Sequence, residues 1–148
     1  MVRALLILHT IFAFVALLAA THLAIHATLS ALGRPQTSAL LRFGWIAPAT
    51  LLVQAVLGLA IYPAYRVTVR APDFDRNAPF VAALFDFKEH LAALALPLVV
   101  GAALAARAAA TERGRWPTAA LSGAGAAFLW ITGVIGLYVT ARHPLGMP

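Results

Sequence analysis

The chain has 148 residues, of which 62% are hydrophobic and only 11% are charged, and its mean hydropathy is +0.87. A water-soluble domain of this composition would lack the polar residues to cover its surface, whereas lipid solvates apolar side chains directly. The net charge is +6, but the arginines stand singly or in pairs between long apolar runs, which excludes a nucleic-acid-binding stripe and is typical of membrane helix ends. The absence of cysteine excludes disulfides, iron–sulfur clusters, thiolate zinc and covalently attached c-type haem.

Charge-poor stretches predict four membrane-spanning helices in chain order. The first apolar stretch is longer than the ~7–15-residue core of a signal peptide, so we expect it to be retained as a span. The second and fourth also exceed the ~20 residues that a helix needs to cross a bilayer. The third is charge-free only from His90 to Ala106, and we expect it to begin near Phe80. We predict an all-α, integral membrane four-helix bundle that forms a single domain over residues 1–148, with spans at about 4–30, 43–65, 80–106 and 117–141.

Four crossings place both chain termini on the same side of the membrane, which we call side A. The connection between the second and third spans, residues 66–77, also lies on side A, and the other two connections lie on side B. The arginines divide five against five between the two sides, so the positive-inside rule does not choose an orientation. The expected location is multi-pass in a membrane, with a prokaryotic inner membrane as the specific expectation.

The third span carries four ionisable residues close together: Asp86, Lys88, Glu89 and His90. Asp86, Glu89 and His90 have i, i+3, i+4 spacing and should share one helix face, whereas Lys88 should point elsewhere, towards the headgroups. An ionisable residue within the membrane costs at least ~2.5–3.5 kcal/mol and usually faces the bundle interior or water. The cluster therefore indicates a site. In a structural alternative, Asp86 and Glu89 pair with side A arginines and latch the connection to the bundle; the candidates are Arg66, Arg70 and Arg142.

The depths of the histidines suggest possible cofactors. His9 and His90 lie in the side A halves of two spans, and a b-type haem needs two imidazoles at matching depth. His22 with His90 is an alternative pair, although their depths differ by roughly half the hydrocarbon thickness. A quinone needs a proton acceptor, a hydrogen-bond donor and an apolar cleft, and the side A residues supply the first two. His22 and His26 lie in the side B half with the i, i+4 spacing of a metal-binding pair. His143 reaches the side A surface.

A copper or zinc site is a further alternative at side A. It would combine His9, His90 and His143 with Glu89 or Asp86, and Met147 would add a soft ligand for copper. The same class of site includes the His22–His26 pair.

The leading functional prediction is a membrane redox or electron-transfer protein, or a subunit of one, that binds haem b or a quinone in the side A half. His9 and His90 would bind the cofactor, while Asp86 and Glu89 would tune charge or carry protons. The first alternative is a non-catalytic structural or assembly subunit, and the second is a membrane copper- or zinc-handling protein that uses His143, His22 and His26. The expected partners are the lipid bilayer and either redox-complex subunits or further copies of the chain, without nucleic acid. The general plan is similar to that of small membrane cytochrome b subunits, a resemblance of architecture alone.

Overall fold

A computed structural model describes residues 2–34, 36–108 and 112–142 of the chain. Within these residues four long helices occur without any strand. Each is long and apolar enough to cross a membrane, and the outer surface exposes many large apolar side chains, which fits a lipid environment. The predicted all-α four-span bundle is therefore confirmed. The helices are α1 (Val2–Ala31), α2 (Thr37–Tyr65), α3 (Pro79–Ala108) and α4 (Glu112–Arg142).

The four helices form a ring in chain order. Helix α1 packs against α2 and α4, and α3 packs against α4 and α2. The two helical hairpins, α1–α2 and α3–α4, make the most extensive interfaces, and the interface between α2 and α3 is the least extensive. At the first hairpin, Gly33 adopts a φ of +82°, a left-handed conformation that glycine reaches without a steric penalty.

Small residues bring the helices close together in the side B half. The buried core there is rich in alanine, with Leu23 and Val99 as its largest fully buried apolar side chains. A Cβ added at Gly125 of α4 would lie 2.9 Å from Cγ2 of Val99 in α3. Packing of this kind stabilises helix pairs in lipid, where the hydrophobic effect no longer drives helices together.

The connection on side A is helical rather than an irregular loop. Helix α2 continues into a π-helical segment, Arg66–Phe74, and then a short helical turn, Asp75–Asn77. A π-helix bonds residue i to residue i+5, which places Val69 and Phe74 on nearly the same side. Both side chains are buried in a second apolar cluster together with Tyr65. The π-helical segment therefore covers the side A end of the bundle.

Candidate functional site

A cavity of about 510 Å³ lies in the side A half of the bundle. All four helices and the π-helical segment contribute to its wall, which is mostly apolar. This volume falls within the ~300–1,000 Å³ of small-molecule sites. We call it the side A cavity. Its polar lining residues are His9, Gln54, Tyr62, Tyr65, Lys88, Glu89, Thr132 and Thr140.

His9 of α1 is held against α2 by a single residue. Its Nδ1–H donates to the backbone carbonyl of Gln54 at 3.1 Å, and the Gln54 side-chain Nε2–H donates to His9 Nε2 at 3.2 Å. These partners require a neutral imidazole with its proton on Nδ1. Gly58 leaves the space for the ring, because a Cβ at that position would lie 3.1 Å from His9 Cε1. Both ring nitrogens are therefore occupied.

Lys88 and Glu89 both line the cavity, so the prediction that Lys88 points to the headgroups is wrong. The Lys88 stem runs past Gly136 of α4, where a Cβ would lie 3.8 Å from Lys88 Cδ. Its ammonium lies 4.5 Å from the centroid of the Phe85 ring, a cation–π contact. Among the described residues, Arg70 takes part in both ion pairs found within 4.0 Å. Lys88 and Glu89 therefore meet the cavity without an ion-pair partner in that part of the chain.

Two hydroxyl groups of the cavity wall are buried without a hydrogen-bond partner in the described part of the chain: Tyr65 Oη and Thr132 Oγ1. The Thr132 case is unusual, because other helical threonines here, such as Thr118 and Thr140, donate to the carbonyl four residues before them. The Tyr65 ring is fixed by stacking on Phe85, with centroids 4.3 Å apart. A buried polar group without a partner costs about 1–3 kcal/mol. Both residues line the cavity, so a polar ligand there would give either hydroxyl a partner once its side chain turns towards the cavity.

Asp86 belongs to a structural pair outside the cavity wall. Arg70 of the π-helical segment donates to its two carboxylate oxygens at 2.6 and 2.9 Å, and Arg70 Nε lies 3.4 Å from Asp75 Oδ1. The predicted latch to a side A arginine therefore forms through Asp86. It does not form through Glu89 in the residues that the structure describes.

The structure does not bring His9 and His90 together. His90 follows Glu89 by one residue, and one residue turns a helix by about 100°, so His90 lies exposed on the outer surface of α3. Its Nδ1–H donates to the Asp86 backbone carbonyl at 2.7 Å. The expected shared face of Asp86, Glu89 and His90 is thus split, because Glu89 lines the cavity and His90 does not.

The other predicted metal ligands are not gathered into a site. His22 and His26 stack with Phe43 at centroid distances of 4.9 and 5.7 Å, and His26 Nδ1–H donates to Gln36 Oε1 at 3.0 Å. Across residues 2–34, 36–108 and 112–142, no group of three His, Asp or Glu residues is placed to hold a metal ion. The predicted ligands His143 and Met147 lie outside the described residues.

The fold and the cavity define a four-span membrane bundle with a largely apolar cavity in its side A half, to which all four helices contribute polar side chains. Comparisons with protein-family models, with curated proteins and with solved structures find no match to this chain.

Proposed function

We propose that the protein binds a quinone or quinol in the side A cavity and acts as a membrane redox protein or as a subunit of a redox complex, with a prokaryotic inner membrane as the expected location. One observation carries the proposal: a mostly apolar cavity within the membrane-spanning helices is lined by Lys88 and Glu89, which lack an ion-pair partner among the described residues, and by the residues of two unsatisfied hydroxyls. A quinone headgroup matches this lining, because it is an apolar ring with two polar oxygens.

The unpaired side chains supply both kinds of partner that a quinone needs. The Lys88 ammonium and the hydroxyls of Tyr65 and Thr132 donate to the two quinone carbonyl oxygens. In the quinol form the headgroup oxygens carry protons, and the Glu89 carboxylate accepts one of them. Since Lys88 and Glu89 are adjacent in α3 and both line the cavity, one helix brings a donor and an acceptor to the same ligand.

His9 would act in a second step. Oxidation of a quinol releases two protons and two electrons, so a site with Glu89 alone lacks an acceptor for the second proton. His9 Nε2 becomes available when the Gln54 side chain releases it, while the Gln54 backbone carbonyl still orients the ring through Nδ1. The two electrons pass to a redox centre of a partner subunit.

Quinone is favoured over haem b and over a metal ion by the same geometry. A haem coordinated by His9 and His90 needs both imidazoles in one slot, and His90 lies exposed and bonded to the Asp86 carbonyl. His9 can serve as a single axial ligand only if Nε2 leaves Gln54. A side A metal site would need further ligands from the chain beyond the described residues.

The test is calorimetric titration of the purified protein, in lipid nanodiscs, with a decyl-substituted dimethoxy-methyl-benzoquinone. We expect saturable binding at about one quinone per chain. Lys88→Gln should weaken binding about tenfold or more, because a hydrogen bond to a charged group contributes about 1.5–3 kcal/mol. Arg76→Gln is the matched control, since it removes the same charge from an exposed side A position.

The possible outcomes distinguish the alternatives. Failure of the wild-type protein to bind quinone saturably would refute the proposal. A Soret absorption band that disappears in His9→Leu would establish haem instead. One observation fits the structural-subunit alternative: the surface of α4 around Gly123 is open, and an added Cβ there would meet no atom within 4 Å. It predicts no saturable quinone binding, with the same assembly partners captured by wild type and Lys88→Gln.

A further inference from the structure

The interface between α2 and α3 is closed at both of its ends. In the side B half, the guanidinium carbon of Arg107 lies 4.2 Å from the centroid of the Trp45 ring. In the side A half, the rings of Tyr65 and Phe85 stack with centroids 4.3 Å apart. Over their whole length α2 and α3 form the least extensive interface of the ring, and residues of both helices between these two contacts line the side A cavity.

Leu59 of α2 and Ala93 of α3 lie on the outer surface of the bundle between these two contacts. Leu59 is 14 residues after Trp45, and Ala93 is 14 residues before Arg107. Fourteen residues are close to four helical turns, so Leu59 and Ala93 lie on the same faces of α2 and α3 as the pair that closes the side B end. They are about 21 Å nearer to side A at 1.5 Å per residue.

Both residues connect the cavity with the outside of the bundle. Leu59 and Ala93 line the cavity, and both are exposed on the bundle surface, Leu59 with 73% of its area accessible. They lie within helices that cross the membrane, so the surface they share faces lipid. We call the gap between them the lateral portal.

Two prolines stand at equivalent positions beside the portal. Pro63 follows Leu59 by four residues, and Pro97 follows Ala93 by four residues. Proline has no backbone N–H, so the carbonyls of Leu59 and Ala93 lack the donor that an α-helix normally supplies. The helices are therefore less constrained at this level, and two carbonyl acceptors lie beside the portal where a ligand or a neighbouring group can satisfy them.

The π-helical segment covers the end of the cavity towards side A between α2 and α3. Val69 and Phe74 of the π-helical segment are buried over it, and the Arg70–Asp86 pair ties this segment to α3. A ligand that arrives from water would have to displace that apolar cover. A ligand dissolved in the bilayer meets Leu59 and Ala93 at the α2–α3 surface.

We propose that the ligand enters and leaves the side A cavity from the bilayer through the lateral portal, and that it carries an apolar chain that lies between Leu59 and Ala93. The headgroup then reaches Lys88 and Glu89 while the chain extends into lipid. This inference rests on the proposed quinone function and makes it more specific. The ligand class is a long-chain, lipid-soluble quinone.

The test compares two quinones that share one headgroup, the dimethoxy-methyl-benzoquinone without a chain and its decyl derivative. Ala93→Phe fills the portal with an aromatic side chain and should weaken binding of the decyl compound at least tenfold, while affinity for the chainless compound stays within about twofold. Ala83→Phe is the matched control, because Ala83 is an exposed alanine of the same helix outside the cavity wall. It should leave both affinities at the wild-type value.

A second variant avoids any loss of folding. The chain has no cysteine, so Ala93→Cys can be folded into nanodiscs first and then alkylated with a benzyl maleimide. Alkylation should produce the same selective loss of decyl-quinone binding.

The results separate this inference from the function on which it rests. Wild-type affinity for the decyl compound in both blocked forms would overturn the portal and leave quinone binding intact. Equal loss of both compounds would also overturn it, because these residues would then belong to the headgroup site. Failure of the unmodified protein to bind either quinone would refute the quinone function itself.

Discussion

Deleting the Tyr65 hydroxyl should change stability and ligand binding in opposite directions. The side chain is 5% exposed, and its hydroxyl has no hydrogen-bond partner within the described residues. Tyr65→Phe removes only the oxygen and retains the ring that stacks on Phe85 at 4.3 Å. The unliganded protein should therefore become more stable, while the proposed quinone should bind less tightly.

The change in stability and the change in quinone affinity have different physical causes. A buried, unpaired hydroxyl costs about 1–3 kcal/mol, and Tyr65→Phe removes a single buried atom, so the void that it leaves is small. We expect Tyr65→Phe to raise the free energy of unfolding by about 1 kcal/mol. A neutral hydrogen bond to the ligand contributes about 0.5–1.5 kcal/mol, so the dissociation constant should rise about 2- to 12-fold.

Unfolding by SDS titration in mixed micelles measures the free energy of unfolding, and calorimetric titration with the decyl quinone measures the dissociation constant. Thr132→Val should behave in the same way, since it removes the second unpaired hydroxyl at nearly constant volume. Tyr138→Phe, at a partly exposed tyrosine of α4 outside the cavity wall, should change neither quantity. A loss of stability in Tyr65→Phe would refute the reasoning, because it would mean that the hydroxyl makes a favourable bond in the unliganded protein.

Three further substitutions test the packing of the bundle and its side A latch. Gly125→Ala should destabilise the protein by about 1–3 kcal/mol, because its methyl group would lie 2.9 Å from Val99 Cγ2. Gly123→Ala is the control: its methyl group would meet no atom within 4 Å, so it should be neutral or stabilising by up to about 1 kcal/mol. Equal SDS unfolding midpoints for the two variants would contradict this prediction. Asp86→Asn should lower the free energy of unfolding by about 1–2 kcal/mol, because it removes charge-assisted hydrogen bonds to the partly exposed Arg70. A change too small to detect would show that the Arg70–Asp86 pair does not stabilise the bundle.

The four spans could be predicted from the sequence because lipid penalises every charged residue, so intervals between charges mark the membrane. The ends of the helices could not be predicted in the same way. Helix α2 begins at Thr37 rather than near residue 43, and α4 begins at Glu112 rather than near 117. In both helices an arginine lies ahead of the charge-free stretch, Arg42 in α2 and Arg115 in α4. Charges therefore mark the edge of the hydrocarbon and not the end of the helix.

The half of the bundle that contains the cavity could also be predicted, but the direction of each side chain could not. Depth along a helix follows from residue count, and it brought His9, Lys88 and Glu89 to side A correctly. Direction around the helix requires a polar face, and the ionisable residues of α3 at 86, 88, 89 and 90 surround the helix. That pattern cannot distinguish the inward Lys88 from the outward His90. The structure adds the missing information, because the Lys88 side chain packs beside Gly136 of α4.

The charges of α3 separate the ligand-binding interpretation from the structural one. An ionisable side chain within the membrane costs ~2.5–3.5 kcal/mol on insertion scales. For Asp86 this cost is offset by Arg70, and the pair ties the π-helical segment to α3, as a purely structural subunit would need. Lys88 and Glu89 have no ion-pair partner within 4.0 Å among the described residues, and the contact of Lys88 with the Phe85 ring lies within α3 and ties no second element to it. Lys88→Leu should therefore raise the SDS unfolding midpoint while it abolishes quinone binding. A lower midpoint together with loss of binding would show that Lys88 stabilises the bundle.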